Sequence, residues 1–182
     1  GNYIRRTALS GIFLYDSTAP GDPPSAPLTN ITLSNNVIDG TNMVPNWWWF
    51  QFGGISSVTL TTAYDLMTTS PMSNLNVTNN FIADSGRSGI WLGNTNGGGI
   101  TGNYLLRPNA RPDVANAYPG RPGDALRPLV VDTTSTGVTV SNNVVDTTSG
   151  VMFVTDTQSR ELAAYAPGGT IRLNAYNLGA LA

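Results

Sequence analysis

The chain has 182 residues, a natural length for one domain, with a formal net charge of −2 at pH 7 and only 11% charged residues. It contains no Cys, no His and no Lys, which excludes a disulfide framework, a thiol nucleophile, a zinc-thiolate or imidazole site, a histidine base and a Ser-His-Asp triad. The balanced charge leaves no footprint for nucleic acid, no run approaches the ~18 apolar residues of a membrane span, and no basic-then-apolar signal segment opens the chain.

The chain begins on Gly1-Asn2-Tyr3-Ile4, the second half of a phrase seen whole at Ser34-Asn35-Asn36-Val37-Ile38-Asp39. Between the two, Gly11-Ile12-Phe13-Leu14-Tyr15 alternates as a strand does, and Asp16 to Thr29 is a Pro-rich insertion. Asn30-Ile31-Thr32-Leu33 is predicted as a strand ending at the Asn pair, with Val37-Ile38 as a short strand after it. The stretch from Gly40 to Gly54 contains four consecutive aromatics, Trp47-Trp48-Trp49-Phe50. The order then repeats through Asn74-Leu75-Asn76-Val77, Thr78-Asn79-Asn80-Phe81-Ile82-Ala83-Asp84, Gly89-Ile90-Trp91-Leu92 and Thr101-Gly102-Asn103-Tyr104-Leu105-Leu106. A long Pro- and Arg-rich stretch from Leu106 leads to Pro128-Leu129-Val130-Val131. Gly137-Val138-Thr139-Val140 then enters Ser141-Asn142-Asn143-Val144-Val145-Asp146, and Gly150-Val151-Met152-Phe153 starts another round. The tail breaks the pattern: Glu161-Leu162-Ala163-Ala164-Tyr165 is expected as a helical turn and Thr170-Ile171-Arg172-Leu173 as a final strand.

The second Asn of each phrase gives a register: Asn2, Asn36, Asn80, Asn103 and Asn143, at intervals of 34, 44, 23 and 40 residues. Recurrence at such spacing marks a solenoid whose longer turns carry insertions. Asn suits the bend, because it tolerates the left-handed backbone conformation and its amide can bond its copy one coil away. Three short strands per coil, one bounded by a stacked Asn, resemble the right-handed parallel β-helix of the pectin-lyase-like superfamily. The resemblance covers residues 1–156 and implies an all-β, right-handed parallel β-helix of about five coils, with long loop insertions and a C-terminal cap. The coils are expected over 1–158 and the cap over 159–182. Because the chain starts at the bend itself, the coils are expected to continue in an N-terminal segment, in another chain or in a homo-oligomer. The resemblance also implies that the Gly-Ile strands and their flanking loops form a groove for a poly- or oligosaccharide.

Two polar columns flank that groove. Behind the third strand stand Asp39, Asp84 and Asp146, with Arg5-Arg6 and Arg107 at the matching place; behind the first stand Asp16, Asn94, Asp132 and Asp156. Coils stack ~4.8 Å apart. Equivalent carboxylates one or two coils apart therefore approach the ~5–5.5 Å and ~6.5–9.5 Å separations of retaining and inverting glycosidases. Asp84, Asp39 and Asp132 are the candidate catalytic carboxylates; the plainer role for each is an Asp closing a turn on its own backbone. In Asp84-Ser85-Gly86-Arg87-Ser88-Gly89-Ile90-Trp91, inward Ile90 and Leu92 would turn Trp91 out onto the groove face, where an indole could stack on a sugar ring. Arg87 would hold a hydroxyl or carboxylate bidentately, against the plainer reading of an Asp84–Arg87 pair bracing the turn with Trp91 covered by a neighbouring loop. Tyr15, Asp16, Asn94 and Trp48 complete the candidate binding set; the four aromatics around Trp48 cannot all face one way, so at least one should be exposed or covered by a partner. No metal site or cofactor is indicated; Asp-rich turns with oxygen ligands leave calcium open, but no dedicated loop is visible.

The expected function is that of a secreted, bacterial-type carbohydrate-active protein, extracellular or periplasmic, that hydrolyses or transfers glycosyl groups through Asp carboxylates. Lyase chemistry fits less well, because lyases on this scaffold commonly use a Lys, Arg or His base and only Arg remains. The alternatives are a non-catalytic glycan-binding, adhesin- or tailspike-like β-helix, and a structural C-terminal half of a larger enzyme. A groove holding Asp84 and a second carboxylate beside an open Trp91 would favour the hydrolase.

Overall fold

The computed structural model describes residues 1–17, 27–43, 53–60, 72–108, 110, 128–131 and 135–146, with the backbone of strands at 152–155, 161–165, 170–173 and 176–177. Among these residues every regular element is a β-strand, and the strands fall into three sheets. Sheet A stacks the strands that directly follow the asparagine phrases: β1 (Tyr3–Arg5), β4 (Val37–Asp39), β7 (Phe81–Ala83), β10 (Tyr104–Leu106) and β13 (Asn143–Asp146), all parallel. Sheet B stacks β2 (Ile12–Ser17), β5 (Gly53–Leu60), β8 (Ser88–Leu92), β11 (Leu129–Val131) and β14 (Met152–Thr155). Sheet C stacks β3 (Thr32–Ser34), β6 (Met72–Thr78), β9 (Thr95–Thr101) and β12 (Thr139–Ser141). The chain visits B, C and A in turn, so each strand pairs with the strand one circuit away in sequence. This arrangement is compatible with a parallel β-helix.

The repeat works because one residue of each phrase always points inward. In sheet A that residue is two places after the ladder asparagine: Ile4, Ile38, Ile82, Leu105 and Val145 align in register. Ile12, Ile55, Ile90 and Leu129 do the same in sheet B, and Leu33, Val77, Ile100 and Val140 in sheet C. These columns meet in one apolar core, and each buried aliphatic side chain contributes about 1.5–3 kcal/mol relative to exposure.

The asparagine phrase divides its labour between two residues. The first position takes the left-handed backbone, at φ 57 for Asn35, 54 for Asn79, 69 for Gly102 and 54 for Asn142. The second forms the ladder. Asn2, Asn36, Asn80 and Asn103 each donate from Nδ2 to Oδ1 of the next rung at 3.0, 2.8, 2.9 and 2.9 Å. Their backbone N–H groups donate to the same oxygens. The remaining amide hydrogens of Asn80, Asn103 and Asn143 go to the carbonyls of Leu33, Val77 and Ile100. Four of these asparagines are buried, and their hydrogen bonds offset the desolvation that burial costs.

The tail departs from expectation in one respect. Residues 161–165 are strand β15 (Glu161–Tyr165), not a helical turn, while β16 (Thr170–Leu173) is a strand as expected. With β17 (Tyr176–Asn177), these strands run antiparallel to β14, β13 and β12. An open sheet edge offers unpaired backbone groups, and pairing with it outweighs the local helical preference of a short Leu-Ala-Ala run.

Candidate functional site

The face of sheet B, where the resemblance would put a groove, is largely closed. Trp91 does point away from the core, aligned with Ser56 and Val130 while Ile90 and Leu92 point in. It is nevertheless only 3% exposed, and Arg87, Asp16 and Asn94 are buried as well. Asn94 has a structural bond there: its Oδ1 accepts from the Thr59 N–H at 2.8 Å. Tyr15 is exposed and stacks on Phe13, with ring centroids 5.6 Å apart. Asp132 and Trp48 lie outside the described residues.

Sheet A presents a different surface. Alternation that turns Ile4, Ile38, Ile82 and Leu105 inward turns Tyr3, Val37, Phe81 and Tyr104 outward, and these four are exposed. Phe81 and Tyr104 stack with centroids 5.6 Å apart and planes 23° apart. The Tyr104 hydroxyl donates to Asp146 Oδ2 at 3.1 Å, which ties the aromatic row to the charged row beside it. That hydrogen bond, then desolvation, then the Asp146 charge raise the Tyr104 phenol above its ordinary value.

The charged row resolves into two columns. Counting from the ladder asparagine, Arg5, Asp39, Ala83, Leu106 and Asp146 share one register. Arg6, Gly40, Asp84 and Arg107 occupy the next residue, and all four have positive φ. Asp84 is therefore one place out of line with Asp39, because its phrase carries the extra Ala83; the two carboxylates do not stack as equivalents. Asp84 is bound by Arg107 rather than Arg87: Nε and Nη2 donate to its two oxygens at 2.6 Å each. This bond holds the Arg107 guanidinium above its ordinary value. Arg5 Nε lies 3.3 Å from Asp39 Oδ2. Left-handed backbone is uncommon for Arg, and non-glycine residues held there cluster at functional sites.

A cleft of about 450 Å³ opens in this region, lined by Arg5, Arg6, Asp39, Gly40, Met43, Asp84 and Ala110. Gly40 sits between Arg6 and Asp84 in the left-handed column, and a Cβ there would be in ordinary contact with Met43 and Arg6 at 3.7–3.8 Å. The cleft volume suits a small ligand.

Sheet A thus brings together Asp39 and Asp84 of the expected catalytic set, while the described members of the expected binding set lie on sheet B or at its ends. The surface residues missed in the sequence are Tyr3, Phe81 and Tyr104, whose signal was the position directly after the ladder asparagine, which alternation makes outward. Arg6 and Arg107 stand in the charged row beside the carboxylates, where their spacing put them. Among the described residues no group of three or more His, Cys, Asp or Glu could hold a metal, and no helix is long and apolar enough to cross a membrane. No protein-family model, curated protein or solved structure matches the chain.

Proposed function

We infer that the chain is a secreted, carbohydrate-binding β-helix protein of the pectin-lyase-like kind, which holds a poly- or oligosaccharide on the outer face of sheet A. The observation that carries this reading is the exposed row Tyr3, Phe81 and Tyr104 beside the ion pairs Arg5–Asp39 and Arg107–Asp84 and the Asp146 carboxylate that Tyr104 donates to. Sugars need that mixture, since their C–H faces favour aromatic rings and their hydroxyls favour fixed charged donors and acceptors. Groups held on sheet strands also lose little freedom on binding. The test is calorimetric titration of oligosaccharides selected from a glycan array, with the native chain and its Phe81→Ala and Tyr104→Ala variants. Each variant is expected to bind about tenfold more weakly, the worth of roughly 1.4 kcal/mol of ring contact. Undiminished binding in both would remove sheet A from the site.

Glycoside hydrolysis is the second reading, favoured by one observation: Asp39 and Asp84 line the same cleft. Against it, both Asp84 oxygens accept from one guanidinium, whereas a general acid must deliver a proton. Release of reducing ends by the native chain, lost in Asp39→Asn and Asp84→Asn, is the expected result under this reading. A native chain that binds an oligosaccharide without cleaving it leaves binding alone.

A further inference from the structure

Sheet C carries a reactive pair of residues that neither the ladder nor the surface of sheet A uses. Asn96 is followed by Gly97, and no other asparagine of the chain precedes a glycine. Asn is a thermolabile residue, because its side-chain carbonyl carbon stands one ring closure away from the next backbone nitrogen. A following side chain hinders that closure, and glycine has none. Closure requires the Gly97 nitrogen to leave its hydrogen bond and the Asn96 amide to turn toward it.

Thr136 controls both conditions. Its carbonyl accepts from the Gly97 N–H at 2.8 Å, which occupies the attacking nitrogen. Its hydroxyl donates to Asn96 Oδ1 at 3.2 Å, which holds the side chain toward the next circuit. The bridge between Asn96 and Thr136 is isolated, outside any strand ladder, and both residues are exposed. On the opposite side, the ladder with β6 passes from Ser73–Asn96 to Leu75–Gly98 and skips Gly97. Gly97, at φ 73, is therefore held by the bridge and by no ladder pair. Exposed backbone bonds with few neighbours open at lower cost than the interior of a sheet.

We propose that Asn96 is a self-modification site, closed while the Thr136 bridge holds and reactive when it opens. The Gly97 nitrogen gives up its proton and bonds to the Asn96 side-chain carbonyl carbon. The bond from that carbon to Nδ2 breaks, and ammonia leaves with the proton. Water then opens the cyclic imide at either carbonyl, giving aspartate or isoaspartate. The isoaspartyl product has an extra backbone atom just ahead of Gly97 and Gly98. Gly98 has no slack to absorb it, since even a Cβ there would overlap the Leu75 backbone. The bridge cannot re-form in register, so an opening that reacts leaves the start of β9 open. The site is independent of any ligand on sheet A.

The test follows Asn96 conversion by mass spectrometry, at mildly alkaline pH, in the native chain and in a peptide of residues 92–100. Gly97 amide exchange is read by NMR in parallel. The native chain is expected to convert more slowly than the peptide, by the factor that slows its Gly97 exchange. Thr136→Val removes the hydroxyl and keeps the carbonyl, and should speed conversion about fivefold, the worth of one neutral hydrogen bond. Urea below the unfolding transition, which reads the gate without any substitution, should raise exchange and conversion together. In the purified isoaspartyl product, Gly97 exchange should stay fast. Native conversion as fast as the peptide's, an unchanged rate in Thr136→Val, or conversion that ignores Gly97 exchange as urea rises would each overturn the gated site. Native-like Gly97 exchange in the isoaspartyl product would overturn the lasting opening of β9.

Discussion

Asn79 and Asn80 are neighbours of one type with separate duties, and substitution should tell them apart. Asn80 Oδ1 accepts from the Asn36 backbone N–H and Nδ2, and its own amide donates to Asn103 and Leu33. Asn80→Ala would orphan several buried groups, so a loss of about 2–4 kcal/mol is expected in urea unfolding. Asn79 contributes its φ of 54; Asn79→Ala should cost only about 1 kcal/mol and Asn79→Gly close to nothing. Thr59 is the reverse case. Among the described residues its buried Oγ1 has no hydrogen-bond partner, so Thr59→Val should stabilise the chain by about 1 kcal/mol. Tyr104 holds its phenolic proton more tightly in the folded chain because it donates to Asp146. Its contribution to stability is complete below the ordinary phenol value of 10.0 and is lost as pH rises through the raised one. Spectrophotometric titration of Asp146→Asn should show one of the seven tyrosines ionising at lower pH than in the native chain.

Among the strands, β9 has the least room to change. Gly98, at φ 91, lies against β6 so closely that a Cβ would overlap the Leu75 backbone. Gly98→Ala should therefore cost at least about 2 kcal/mol in thermal unfolding, and the loss should exceed that of an alanine at Gly97, where a Cβ meets nothing within 4 Å. The strands of sheet A were legible in the sequence because Ile4, Ile38, Ile82, Leu105 and Val145 recur two places after an asparagine. The same arithmetic would have exposed Tyr3, Phe81 and Tyr104 and separated Asp84 from Asp39. Whether Trp91 would be open or covered was not legible, because alternation fixes the side of a sheet on which a residue lies and says nothing of what covers that side. The strand at 161–165 was hidden for a related reason: its structure comes from the edge of β14, not from its own residues.

For the molecule as a whole, the described strands pair with the strands one circuit away, so stability should be close to a sum of adjacent interactions. Asn103→Ala is accordingly expected to speed amide exchange most in β7, β10 and β13, with β2 changed least. Repetition was readable from spacing alone, since a ladder amide demands its copy one circuit on whatever the insertion between. The ladder also has a direction. Asn2, Asn36, Asn80 and Asn103 each donate toward the higher-numbered rung, and none donates back. An amide turned over at any one rung would set oxygen against oxygen on one side and N–H against N–H on the other, so the whole column has to be set the same way.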